Sequence, residues 1–294
     1  MGFLKSLLGI GSDDDKSNKA DAHRQFDTLK YDGVRALRMG QIDMAIACLE
    51  HALQLADDLE VCDYLSQAYI HHGDLDKAYQ YLERMAAAQP DNEQICLRMG
   101  SVAYMREDYQ AEAEVAGRAL DINPGSAPAH YLLAQAEIGQ ANDIMAIATL
   151  TKAIALDDTL PSARLLRGET LLRMGDVQGA TQDASLLVEQ ACDSEEALLL
   201  AARVARAQGK ADEAIALYTR VIEANPFSAV ALRERGAVKY AQGDKDGAEA
   251  DGRAALELEP EQVADVTGDY SARGTEDIQR RVEQAYRNNN PLGL

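Results

Sequence analysis

The sequence has 294 residues, of which 47% are hydrophobic but only 5% aromatic, and it contains no tryptophan. This composition favours closely packed helices over sheets, because small side chains allow helix backbones to approach each other. The formal net charge of −20 opposes binding to phosphate backbones, so nucleic acid is not an expected partner. No apolar run approaches the roughly 20 residues that a transmembrane helix needs.

Residues 1–25 are predicted to form an amphipathic N-terminal segment and a polar linker. Four large apolar residues among the first ten recur at helical spacing; they are Phe3, Leu4, Leu7 and Leu8. Such an apolar face would dock on a partner, on a membrane surface or on the rest of the chain. Residues 11–25 are polar and charged, which predicts a mobile linker that merges into the first helix.

A period of about 34 residues dominates the sequence from residue 26 to residue 262. Glycines recur with separations of 33, 102, 34 and 34 residues, and 102 is three times 34; they are Gly40, Gly73, Gly175, Gly209 and Gly243. Glu107 and Ala141 occupy the two missing places. We call these seven residues the turn positions. Five residues after each of them comes an alanine, except in the third unit, where Glu112 stands.

Each part of this pattern is typical of two helices joined by a short turn. A glycine ends a helix in the left-handed conformation without steric strain. Small residues at a helix crossing let the two helices pack closely. Four prolines at the same period would stop the second helices; they are Pro90, Pro124, Pro226 and Pro260. The predicted helical hairpins are 26–58, 59–92, 93–126, 127–160, 161–194, 195–228 and 229–262.

A helical hairpin of this length with these small residues resembles the tetratricopeptide repeat. The resemblance covers 237 of the 294 residues, although the large aromatic residue that the family favours early in its first helix is absent. It implies an all-α fold, a right-handed superhelical solenoid of seven helix-turn-helix repeats. It also implies that the first helices of the hairpins line a concave surface on which ligands lie.

Residues 263–294 are predicted to contain a connector, a capping helix and an extended tail. The helix is predicted at residues 275–287, with Thr275 as its N-cap and three apolar residues on one face. A solenoid needs a terminal element that is apolar inside and polar outside, and this helix would supply it. The tail, residues 288–294, is predicted either to dock or to remain free for recognition.

No motif for catalysis, a cofactor or a metal accompanies the repeats. The sequence lacks a phosphate-binding loop, a zinc-protease motif and a serine-hydrolase motif. His71 and His72 are adjacent, so on one helix they point about 100° apart and cannot share a metal. The four cysteines form no CxxC pair; they are Cys48, Cys62, Cys96 and Cys192. We therefore expect a protein that is not an enzyme, has no cofactor and lies in the reducing cytoplasm.

Equivalent positions on the first helices predict a peptide-binding surface across the third to sixth repeats. The predicted site residues are Leu97, Arg98, Tyr104, Tyr131, Gln135, Leu165, Leu199, Arg203 and Arg206. The leucines would form an apolar strip, the tyrosines would add contact area, and the arginines would pair with acidic groups of the ligand. The alternative is that the apolar residues pack between neighbouring repeats.

The sequence therefore predicts a scaffold, adaptor or assembly factor that binds a peptide or helix of a protein partner. One alternative is a peripheral membrane protein anchored through residues 1–10; self-association of the solenoid is another. Co-chaperone members of the family resemble each other in a two-carboxylate clamp. Lys30 and Arg98 match that clamp, but Val34, Tyr64 and Gln94 do not, so recognition of chaperone C-termini is not expected.

Overall fold

The computed structural model describes residues 13–190 and 194–259, with side chains from residue 21 onward. Within these ranges the chain forms fourteen helices and no β-strand, so the predicted all-α repeat fold is confirmed. The chain divides into two compact units, Met1–Thr149 and Leu150–Leu294. The predicted N-terminal apolar segment, the capping helix and the tail lie outside the described residues.

Odd-numbered helices are the first helices of the hairpins, and even-numbered helices are the second. The first unit contains α1 Asp13–Arg38, α2 Ile42–Leu55, α3 Leu59–His72, α4 Leu75–Ala88, α5 Glu93–Met105, α6 Tyr109–Ile122, α7 Ala127–Gly139 and the start of α8 Asp143–Leu156. The second unit contains the end of α8, then α9 Pro161–Arg173, α10 Val177–Gln190, α11 Glu195–Ala207, α12 Ala211–Ala224, α13 Ala229–Ala241 and α14 Lys245–Leu258. Within each unit the two helices of a hairpin pack together, for example α5 on α6 and α9 on α10.

Helix α1 begins earlier than the sequence predicts. The mobile linker was predicted to occupy residues 11–25, but the helix starts at Asp13 and continues to Arg38. Residues 13–25 contain no glycine or proline, and their lysine, alanine, glutamine and arginine residues favour helix. From residue 13 onward the linker prediction is therefore wrong.

The turn positions adopt the left-handed backbone conformation that the sequence predicts. The five glycines have φ angles between 72° and 89°. Glu107 and Ala141 adopt the same conformation, with φ angles of 56° and 61°, although a Cβ atom makes it less favourable by roughly 1–2 kcal/mol. The surrounding structure therefore holds both residues in a backbone conformation that is unfavourable for them.

Small residues lie where helices approach each other closely, both at the predicted alanines and at two glycines that lie seven residues before a turn position. A Cβ atom added to Gly33 would lie 2.6 Å from Leu49 Cγ, and one added to Gly168 would lie 2.7 Å from Leu200 Cδ2. The alanines five residues after the turn positions are buried. Glu112 occupies the same position in the third hairpin and is also completely buried.

In the second and third hairpins of the first unit, apolar or aromatic residues hold the places that lie eight residues before and after the turn positions. Met99 and Val115 hold these places in the third hairpin, and Leu65 holds the first of them in the second hairpin. All three are buried in one apolar cluster, and Tyr81 packs against it. Apolar contacts therefore join the two helices of these hairpins.

The second unit has a buried ion pair at the same places. Arg167 donates from Nε to Asp183 Oδ2 at 2.8 Å and from Nη2 to Asp183 Oδ1 at 2.7 Å. Its Nη1 donates to Thr151 Oγ1 at 3.0 Å. The Asp183 side chain is 1% exposed and that of Arg167 is 19% exposed, so the pair is largely shielded from water.

The same three-residue arrangement recurs 68 residues later in the second unit. Arg235 donates to both oxygens of Asp251, at 2.9 and 2.6 Å, and to Thr219 Oγ1 at 3.0 Å. Lys239 Nζ lies 2.9 Å from Asp251 Oδ2. Burial acts to raise the pKa of Asp251, but its bonds to Arg235 and Lys239 outweigh this and hold the pKa below its ordinary value.

Candidate functional site

The candidate site residues lie on the first helices of hairpins in both units. In the first unit, α5 and α7 carry five of the predicted site residues, and in the second unit α9 and α11 carry the other four.

Arg98 and Leu97 connect α5 to its neighbours. Arg98 forms an ion pair with Asp63 on α3, and its Nη2 donates to Ser66 Oγ at 2.7 Å. Leu97 is half-buried and packs against the cluster that contains Cys96. The guanidinium that was predicted to meet an acidic ligand group therefore already has a carboxylate partner within the chain, and Leu97 belongs in part to the packing between hairpins.

Tyr104 and Met105 form an exposed apolar surface at the end of α5. Their exposed fractions are 45% and 44%, respectively, and the Tyr104 ring lies 6.4 Å from the Tyr109 ring. Tyr131 and Gln135 on α7 are half-buried, and α7 packs against α5. Of the five predicted site residues in the first unit, Tyr104 therefore offers the most accessible apolar contact.

Two exposed large apolar residues on the first helices of the first unit lie outside the predicted site. Met105 directly follows Tyr104, and Tyr31, which is 68% exposed, directly follows Lys30 on α1. Lys30 is equivalent by the repeat period to Leu97, and Tyr104 is itself a predicted site residue. The sequence signal for both exposed residues is therefore a large apolar side chain directly after such a position.

Arg203 lies at the centre of a polar network in the second unit. It donates from Nε and Nη2 to the two carboxylate oxygens of Glu234, at 3.0 and 2.9 Å, and from Nη1 to Glu169 at 3.3 Å. The Tyr218 hydroxyl donates to Glu234 at 2.8 Å. Burial acts to lower the pKa of Arg203, but the bonds to Glu234 outweigh this effect and raise it. Arg203 is therefore held by carboxylates of its own unit.

The remaining site residues of the second unit divide into packed leucines and an accessible arginine. Leu165 and Leu199 are half-buried and pack against the clusters that contain Leu200 and Tyr218, respectively. Arg206 is half-buried on α11; within the described part of the chain no ion pair or hydrogen bond to its guanidinium is found. It is therefore the predicted arginine that is best placed to meet a ligand carboxylate.

Glu112 is a buried acid on α6 and is not one of the predicted site residues. The side chain is completely buried, and neither carboxylate oxygen has a hydrogen-bond partner in the part of the chain that the structure describes. Burial raises the pKa of Glu112 to about 8. Its sequence position marked a departure from the repeat, but the absence of a partner became visible only in the structure.

The described residues contain no group of three or more histidine, cysteine, aspartate or glutamate side chains placed to hold a metal ion. Between residues 13 and 190 and between 194 and 259, every helix is too short or too polar to cross a membrane. Cys48, Cys62 and Cys96 are free thiols.

Comparisons with known proteins give one family. Models of the tetratricopeptide repeat match residues 36–59, 65–127 and 199–263, together just over half of the chain. A comparison with curated protein sequences gave no match.

Several solved structures share the fold. A tetratricopeptide repeat protein from Parabacteroides merdae is similar with a TM-score of 0.68 at 18% identity, over 80% of this chain and 94% of that one. Pseudomonas aeruginosa pilF is similar with a TM-score of 0.58 at 17% identity, over 76% of this chain and all of that one. A chain of the APC/C hetero-tetramer Cut9–Hcn1 has a TM-score of 0.57 at 16% identity, over 88% of this chain and 49% of that one. At these identities the likeness shows the helical-repeat fold.

Proposed function

Because this chain belongs to the tetratricopeptide repeat family, we propose that it is a non-enzymatic scaffold or adaptor that binds a peptide or helix of a protein partner. Proteins with this fold generally mediate protein–protein interactions, and the family is typically non-enzymatic. The proposed binding surface is formed by the first helices, and the proposed location is the cytoplasm. The free thiols of the three described cysteines support a reducing compartment.

The exposed pair at the end of α5 is the observation that carries the proposal. Tyr104 and Met105 are each close to half exposed, and aromatic and methionine side chains are enriched in protein interfaces. Tyr131 and Gln135 on the adjacent α7 would extend the contact with a polar group and an aromatic ring. An amphipathic helix or an extended peptide suits such a surface, because it can present apolar anchors at regular spacing.

The test is capture of a partner from an extract of the native host, with the full chain as bait. The double variant Tyr104→Ala and Met105→Ala should lose a partner that the original chain retains, because a central anchor contributes about 2 kcal/mol or more. Phe227→Ala is the matched control, since Phe227 is 77% exposed in the turn between α12 and α13. Quantitative mass spectrometry identifies the partner, and calorimetry with the purified partner measures the affinity.

The outcome that contradicts the proposal is equal capture by the original chain and the double variant. Thermal unfolding of all three proteins checks that the variants are folded, because replacement of exposed side chains should leave the melting temperature nearly unchanged.

The spacing of Phe3, Leu4, Leu7 and Leu8 favours a second candidate function, attachment to a membrane surface. Flotation of the full chain with liposomes, compared with a chain that lacks residues 1–10, separates this function from a purely soluble scaffold. Flotation that does not depend on residues 1–10 would count against the anchor.

A further inference from the structure

Two unfavourable features meet in the third hairpin, which consists of α5 and α6. Its turn position is Glu107, a non-glycine residue with a φ angle of 56°. Five residues later, Glu112 is completely buried, and in the described part of the chain both of its carboxylate oxygens are without a partner. In the other six hairpins the equivalent residue is alanine. The hairpin that carries Leu97, Arg98 and Tyr104 is therefore held together under strain.

No neighbouring cation compensates a charge on Glu112. Helix α6 packs against α5 and α7. The titratable or charged residues of these three helices are Glu93, Cys96, Arg98 and Tyr104 on α5, Tyr109, Glu114, Arg118 and Asp121 on α6, and His130, Tyr131 and Glu137 on α7. None of them bonds to Glu112, and burial is the cause of its raised pKa.

Several of these groups are engaged elsewhere. Arg98 is paired with Asp63, Glu93 accepts a bond from Asn123, and His130 Nε2 lies 3.3 Å from the Pro124 carbonyl oxygen. The nearest arginine along α5 is therefore committed to α3 and does not serve as a counterion for Glu112.

The protonation state of Glu112 decides how costly its burial is. A neutral carboxyl group can be buried at moderate cost, whereas an ionised carboxylate without a partner is far more costly to bury. Because burial raises the pKa to about 8 from the ordinary value of 4.5, protonation stabilises the folded hairpin fully below pH 4.5. This contribution is lost as the pH rises towards and through about 8.

We propose that the third hairpin is a proton-controlled switch of the binding surface: α6 is closed on α5 while Glu112 is protonated and separates from it when Glu112 ionises. Water reaches the carboxylate by a local opening of this hairpin, which requires less free energy than unfolding of the whole unit. Opening removes support from α5, so binding of a partner weakens as the pH rises. This last consequence rests on the proposed function; the opening itself does not.

Hydrogen exchange of the full chain tests the opening without any partner. Protection factors of the α6 amides, corrected for the intrinsic effect of pH, are compared at pH 6 and pH 9. In the original chain they should fall by roughly 100-fold, because pH 6 lies two units below the pKa of about 8 in the closed hairpin, while an opened Glu112 with the ordinary pKa of 4.5 is ionised at both pH values. In Glu112→Gln they should stay constant. Glu114→Gln, an exposed acid on the same helix, is the matched control and should behave as the original chain does.

A second variant covers the case in which Glu112→Gln is itself too unstable. Glu112→Ala installs the residue that the other hairpins carry and should also remove the dependence on pH. Equal protection of the α6 amides at the two pH values in the original chain overturns the proposal. A loss of protection in both Glu112 variants that is as large as the loss in the original chain also overturns it.

Partner affinity measured at the same two pH values separates the switch from the proposed function. A loss of affinity in the original chain that Glu112→Ala abolishes supports the link between the two. If α6 opens but the affinity stays constant, the switch remains and the placement of the partner on α5 is wrong.

Discussion

The third hairpin, in the first unit, and the fifth hairpin, in the second unit, place opposite chemistry at the same positions. In the first unit, Met99 and Val115 are buried in an apolar cluster. In the second unit, the equivalent Arg167 and Asp183 form a buried ion pair with two hydrogen bonds. The backbone of a helical hairpin therefore accepts either solution. A buried polar group that finds no partner, in contrast, costs free energy.

Two buried acids illustrate this cost. Asp183 has both carboxylate oxygens bonded to Arg167, whereas Glu112 in the first unit has no partner among the described residues. Replacement of each acid by the same neutral residue should therefore change stability in opposite directions.

The largest expected effect is that of Asp183→Ala. It leaves the guanidinium of Arg167 shielded from water without its carboxylate, which should lower the free energy of unfolding by about 3–5 kcal/mol. Urea unfolding of the full chain, followed by circular dichroism, measures the loss. The double variant Arg167→Met and Asp183→Val installs the pair of the first unit and should return the stability to within about 1 kcal/mol. A loss below about 1 kcal/mol in the single variant would contradict the importance of the pair.

Glu112→Ala should change the free energy of unfolding in the opposite direction. At pH 9 it should raise the free energy of unfolding by about 3 kcal/mol, which is the ionisation cost less the cost of the space that the smaller side chain leaves. At pH 4, below the ordinary pKa of 4.5, the gain should be much smaller, because the acid is then protonated in both states. Urea unfolding at both values measures the difference. Glu114→Ala should give no such gain, and a gain independent of pH would point to packing alone.

A smaller gain is expected at the two turn positions that lack glycine. Glu107→Gly and Ala141→Gly relieve the left-handed conformation and should each stabilise the chain by about 0.5–1 kcal/mol, after the larger entropy of an unfolded glycine is subtracted. Thermal unfolding should show an increase of a few degrees. Glu114→Gly within α6 is the control and should cost about 1 kcal/mol. No increase in either turn variant would mean that the strain is negligible.

The smallest effect is expected for an ion pair on the surface of the second unit. Glu249 and Arg253 lie 2.6 Å apart, but their side chains are 60% and 69% exposed. Glu249→Ala should change the free energy of unfolding by less than about 0.5 kcal/mol. Asp251→Ala on the same helix removes the partner of Arg235 and should cost several times more. Similar losses in these two variants would show that burial is not the deciding factor.

The turns and the close helix contacts could be predicted from sequence because each depends on one kind of residue at a fixed place. Glycine marks the left-handed turn and alanine marks the close crossing. The conformation of Glu107 and Ala141 could be inferred only from the period, since neither residue favours a positive φ angle. The early start of α1 at Asp13 was missed, because polarity was taken as evidence of a linker although the same residues favour helix.

The contacts of the candidate site could not be predicted, because they join residues that are distant in sequence. Arg98 meets Asp63 on another helix, and Arg203 meets Glu234 thirty-one residues later. Each pair depends on the register between successive hairpins, which a pattern within one hairpin does not reveal. The half-buried state of Leu165 and Leu199 has the same origin. The role of these residues in binding stays a prediction.

The arrangement of Arg167, Asp183 and Thr151 recurs after 68 residues in Arg235, Asp251 and Thr219, whereas the hairpin between them has Ala201 and Leu217 at the arginine and aspartate places. For protein engineering, the natural segment to remove or exchange in the second unit is therefore a pair of hairpins. Removal of the sixth hairpin alone would place Arg235 beside Ser185 instead of Thr219. Removal of the fifth and sixth hairpins together would place it beside Thr151, the threonine that Arg167 uses.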